Sequence, residues 1–123
     1  DPAAITVPTD PTTLTTAVMV MADLTVSYED ALAAATNTET WDVLVNEPVT
    51  TSGGQPATWL EATSKVDTSG YTVGTTRYGY LSDVGGFPVW IETSGTLGDP
   101  TFATNSSVVD LIASQSTFQP PAP

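Results

Sequence analysis

Residues 15–36 read TTAVMVMADLTVSYEDALAAAT, the most apolar stretch of the chain. Val18, Val20, Ala22, Leu24 and Val26 alternate with Met19, Met21, Asp23, Thr25 and Ser27. A period of two, rich in β-branched side chains, predicts a strand. At Ser27 the pattern changes. Ser27 with Asp30 has the spacing of a helix capping box, and the good helix formers of YEDALAAAT follow, with two acids in the first turn. A helix over 28–36 is therefore expected. A membrane span needs about twenty uninterrupted apolar residues, and Asp23, Glu29 and Asp30 break this one. The stretch reads as a strand and a helix of a folded domain, not as an anchor.

Working outward, Trp41, Val43 and Val45 alternate with Asp42, Leu44 and Asn46 and predict a second strand ending before Pro48. TTSGGQP is a turn. ATWLEATSKV (57–66) and YTVGTTRYGYL (71–81) flank DTSG and read as a hairpin, with Gly70 at positive φ. DVGG is a further turn, and FPVWIE (87–92) is a short strand that Pro88 assigns to a sheet edge. In NSSVVDLIAS, Ser107 and Asp110 repeat the capping spacing, which predicts a helix over 107–114 with Val108, Leu111 and Ile112 on its apolar face. The fold class is α+β and β-rich: one small domain of about five mainly antiparallel strands and two short helices covering a face or the ends of the sheet. Residues 17–114 form this domain. Pro2, Pro8 and Pro11 mark 1–16 as an extended Pro/Thr-rich arm, and Pro120, Pro121 and Pro123 mark 115–123 as a Pro-rich tail.

Composition narrows function. The chain has 123 residues, enough to bury about two thirds of its unfolded surface. Fourteen Asp and Glu face Lys65 and Arg77, for a net charge of −12. Phosphate backbones and anionic membrane surfaces are therefore disfavoured as partners. The acids are scattered singly, which argues against mimicry of nucleic acid. Such a charge is best tolerated where salt screens it, which leans towards an extracellular or saline setting. The chain opens on Asp1, which suggests proteolytic maturation or trimming, a cleaved export signal being one route. With no cysteine there is no disulfide or thiolate site, and with no histidine the commonest acid–base residue is missing.

The remaining routes to chemistry are thin. Ser64 and Lys65 are adjacent, so on a strand they point to opposite faces. Glu61 and Glu92 would serve glycoside hydrolysis only if pairing made them converge. No cofactor is expected. Calcium is the one ion an all-oxygen ligand set would take, and the loop acids Asp67, Asp83 and Asp99 are its candidates, although Asp in such turns ordinarily bonds its own backbone. Asn105-Ser106-Ser107 fits a glycosylation acceptor. Trp59, Tyr78, Tyr80 and Trp90 lie on expected strands and are the candidate binding or interface residues, with core packing the competing role.

DVGGFPVW (83–90) followed by PTFATNSSVVDLI (100–112) resembles the end of the coat proteins of small single-stranded RNA phages. Val84, Gly85, Gly86, Pro88 and Val89 match a loop, and Phe102, Ala103, Thr104, Asn105 and Ser106 match a strand end that leads into a helix. The two parts lie closer together here. The resemblance implies a virion subunit, yet the lysines and arginines with which such coats grip RNA are absent apart from Lys65 and Arg77.

The expectation is a non-catalytic structural or assembly protein of a virion or extracellular surface, of the capsid-decoration, coat, tail or fibre type. Its partner would be protein, either itself as an oligomer or a host lattice, without nucleic acid or membrane insertion. The alternative is a secreted carbohydrate- or ligand-binding domain using surface aromatics.

Overall fold

The computed structural model describes residues 18–51, 54–68, 70–116 and 118. The expected arm at 1–16 lies outside these, as does most of the expected tail at 115–123, of which Gln115 is the last residue of a helix. The chain builds five antiparallel strands and two helices: β1 (Met19–Ala22), α1 (Tyr28–Ala35), β2 (Trp41–Thr50), β3 (Pro56–Ser64), β4 (Thr76–Val84), β5 (Phe87–Gly95) and α2 (Pro100–Gln115). The strands form one sheet in the order β1-β5-β4-β3-β2. Consecutive strands β2 to β5 form a meander, and α1 crosses over so that β1 joins the far edge beside β5.

Alternation assigns the two faces. Leu60, Leu81 and Trp90 pack with Ala35, Tyr28, Ala31 and Leu32 beneath α1. Ile91, Tyr78 and Tyr80 pack with Val109, Ile112 and Ala113 beneath α2. The sheet is thus covered on both sides, chiefly over β4 and β5, which explains why β5 alone runs buried from Pro88 to Thr93.

Helix α1 starts where the capping spacing places it, with the Ser27 side chain accepting from the Asp30 amide. The β4–β5 hairpin turns on Gly85 and Gly86, at φ 65° and 92°, the paired positive values of a tight two-residue turn. Gly70 is at φ 95° as expected. However, the β3–β4 connection spans residues 65–75, because Tyr71 leaves the ladder and bridges back to Thr68.

Four expectations are corrected. The first strand stops at Ala22, since Asp23 turns the chain by accepting from the amide and hydroxyl of Thr25. Strand β2 continues through Pro48, which is tolerated because β2 is an edge. Conversely, β5 is interior although it carries Pro88. That proline lies one residue beyond the last β1–β5 pair, Ala22 and Val89, where no ladder amide is needed. Finally, α2 begins at Pro100, capped by Asp99 through the Thr101 amide. Ser107 is internal and donates to the Ala103 carbonyl. The packed side is Phe102, Val109 and Ala113 with the expected Ile112 partly buried against them, while Val108 and Leu111 are not part of that cluster.

Candidate functional site

The four aromatics singled out in the sequence do not form one site. Tyr80 lies opposite Ile91, and Leu81 opposite Trp90. This register turns Trp90 to the α1 face while Tyr78 and Tyr80 stay on the α2 face with Trp59. There Trp59 meets Tyr78 edge-on at 6.3 Å, and Tyr78 meets Tyr80 edge-on at 6.4 Å. Both tyrosine hydroxyls donate to Asp110 Oδ1 at 2.6 Å, tying the sheet to α2. The Trp59 indole N–H is buried and meets no acceptor among the described residues.

Burial and the Asp110 carboxylate push the Tyr78 phenol far up, and the same two causes push Tyr80 up to about 12. Tyr71 also rises to about 12, first from burial and then from Glu92. Raised phenol values mean that the fold favours the neutral form. The associated stability is intact below the ordinary value of 10.0 and is lost as pH rises towards about 12. We expect cooperative alkaline unfolding in that window, with tyrosinate absorbance and circular dichroism changing together. Tyrosines that ionise near their ordinary value in an intact fold would contradict this.

The more unusual constellation sits on the opposite face. Arg77 donates from Nε to Glu92 Oε2 at 2.6 Å, with the two side chains 12% and 4% exposed. Its guanidinium lies 3.8 Å from the centre of the Trp90 ring, 5.3 Å from that of Tyr71 and 5.4 Å from that of Trp41. The Tyr71 hydroxyl donates to Glu92 as well, at 3.2 Å from Oε1. Thus one of the chain's two cations is enclosed by three aromatic rings and a buried carboxylate.

Gly79 makes this possible. It pairs with Glu92 across the strands, and a Cβ there would fall 2.5 Å from the Ile91 carbonyl oxygen and 2.8 Å from Glu92 Cβ. We expect Gly79→Ala to cost about 1–3 kcal/mol in chemical denaturation, as overpacking of a rigid site does. A neutral effect would show that Glu92 can move without loss.

The sequence reading placed none of Trp41, Tyr71 or Arg77 in a site. One signal was present: alternation puts Arg77 on the same face as Leu81, a core residue, so this cation had to point inward.

The other candidates separate. Glu61 lies opposite Tyr78 and Glu92 opposite Gly79, so these carboxylates occupy opposite faces and do not converge. Ser64 Oγ donates to the Val66 carbonyl and Lys65 Nζ to the Thr38 carbonyl, leaving them unpaired with each other. Asp67 accepts from the Val73 amide, Asp83 from the Gly86 amide and Asp99 from the Thr101 amide. Each of these acids is bonded to backbone nearby, and Asp83 lies on β4 rather than in a loop. Among the described residues no group of three or more acids stands close enough to hold a metal. Asn105, of the glycosylation triplet, lies within α2.

The edge at β1 has a different character. All four of its residues are exposed. Met19 is 51%, Val20 54% and Met21 45% exposed, and Leu24 and Val26 just beyond are at 58% and 37%. The outer rim of β1 has no neighbouring strand among the described residues. No described helix is long and apolar enough to cross a membrane.

No family model, no curated protein and no solved structure matches the chain. The local resemblance to phage coats is also altered by the fold. Val84, Gly85 and Gly86 do form the turn before a strand, but Phe102–Ser106 lie inside α2 rather than at a strand end. Their helical start follows from Asp99 and Pro100, a cap and first-turn pair.

Proposed function

We propose that this chain is a non-catalytic structural subunit of a virion or an extracellular surface, working through protein–protein contacts. The observation that supports this reading is the β1 edge. A strand rim with no neighbour among the described residues, bordered on both faces by exposed Met19, Val20 and Met21 with Leu24 and Val26 alongside, suits addition of a strand from another chain. Five large apolar side chains at one edge exceed what scattered surface residues would give. The charge of −12 then acts as a brake: like-charged copies repel at low salt and associate once screened.

Light scattering at low and high salt tests this. A subunit of 12.8 kDa is expected to remain monomeric at low salt and to form a defined oligomer at high salt. Val20→Asp combined with Met21→Asp should abolish that rise on both faces of β1 without altering the circular dichroism. A monomer under every condition would overturn self-association. A glycan titration that changes tryptophan fluorescence would instead favour a carbohydrate-binding domain.

A further inference from the structure

We propose that the cavity between α1 and the sheet, floored by Arg77, binds a small uncharged ligand that presents a primary amide. The cavity measures about 410 Å³, within the range of small-molecule sites. Its walls include Met21, Val26, Ala34 and Trp90, and its polar groups include Arg77 and Asp23. Glu92 is not on the lining: it lies behind Arg77, occupied by Nε and by the Tyr71 hydroxyl.

The guanidinium is therefore held in place by its Nε edge and one stacked face. No acceptor on another described residue takes a hydrogen bond from its two Nη groups, although the side chain is only 12% exposed. A fork of donors at the base of a largely apolar cavity is suited to a planar oxygen acceptor.

Charge selects among acceptors. Arg77 is offset by Glu92, and Asp23 adds a further negative group in a chain already at −12. A carboxylate or phosphate ligand would enter a site with no spare positive charge, and an ammonium group has no lone pair to accept from the Nη donors. A neutral carbonyl meets neither penalty. The N–H groups of a primary amide also have an acceptor on the same lining, since Asp23 uses only Oδ1, towards Thr25. The apolar body of the ligand would lie against Met21 and Val26.

Benzamide, benzoate and benzylamine probe this by charge at nearly constant shape. In spectra of the ¹⁵N-labelled chain, benzamide should shift the Trp41 and Trp90 indole signals saturably and leave Trp59, on the other face, unmoved. Intermolecular NOEs from its ring to the Met21 methyl would place it in the cavity of the unmodified protein. Ala34→Phe, which fills the cavity from α1 and leaves both residues of the Arg77–Glu92 pair in place, should weaken binding by at least about tenfold. The proposal is overturned if benzamide gives no saturable shift, if benzoate or benzylamine binds more tightly, or if a folded Ala34→Phe variant binds undiminished. Should that variant not fold, the NOE pattern decides: contacts to Met21 sustain the site and contacts elsewhere refute it.

Discussion

Arg77→Met is expected to destabilise the protein by about 3–5 kcal/mol, because it removes the cation and leaves the Glu92 carboxylate buried. Glu92 is 3% exposed and lies between strands, where water cannot reach it to replace the lost ion pair. Among the described residues only the Tyr71 hydroxyl would remain as a donor, at 3.2 Å and 3.3 Å from the two oxygens. The stacking of the guanidinium on Trp90 would also go, although the methionine stem retains part of that packing. The informative control is the double change Arg77→Met with Glu92→Met. Desolvating two opposite charges nearly cancels their attraction, so exchanging both for apolar groups is expected to restore most of the stability. Urea denaturation of the wild type, both single variants and the double variant gives this cycle directly. A single-variant loss below about 1 kcal/mol would mean that Glu92 finds water or another partner.

Leu81→Ala should have a comparable effect by a different mechanism. Leu81 is fully buried at the centre of β4, in contact with Leu60, Trp90 and Ala35, and α1 rests on this cluster. Truncation would leave a cavity at the helix–sheet interface, for which the expected cost is about 2–5 kcal/mol. Collapse into the gap is restricted. Leu60 and Trp90 are fixed on neighbouring strands, while α1 is pinned by the Tyr28 amide bonded to the Gly86 carbonyl and by the Tyr28 hydroxyl, 2.6 Å from Thr58 Oγ1. Leu44→Ala provides the contrast. At 46% exposure on edge strand β2, it should cost no more than about 0.5 kcal/mol. Equal losses at the two positions would mean that the α1 face does not form the core described above.

Both experiments probe the α1 face, one through its buried ion pair and the other through its apolar cluster. The β1 edge, by comparison, contributes little to the core and is expected to respond in association rather than in stability.

The architecture was legible where one local signal dominated. Ser27 followed by acids and alanines predicted α1, and the alternation from Trp41, through Trp59 and Tyr78 to Trp90, predicted β2 to β5 as mainly antiparallel strands. Loop chemistry was legible in part. Gly70, Gly85 and Gly86 take the positive φ values that turns require, but the beginning of α2 was misplaced because Ser107 and Asp110 imitate a cap. Asp99-Pro100, a cap followed by a first-turn proline, carried the correct signal inside a segment that otherwise reads as loop.

What alternation along a single strand could not determine was which strands become neighbours and in what register. That Trp90 departs from Tyr78 and Tyr80, that Glu61 and Glu92 face apart, and that Pro88 occupies an interior strand all follow from pairings between distant residues. The Arg77 cluster is the clearest case: Arg77 and Glu92 lie on adjacent strands, Trp41 comes from the far edge, and Tyr71 from a loop. Each of those side chains has an ordinary surface or core role when read alone. Only the tertiary structure brings them together, because the free energy that encloses a charge resides in contacts that no local stretch contains.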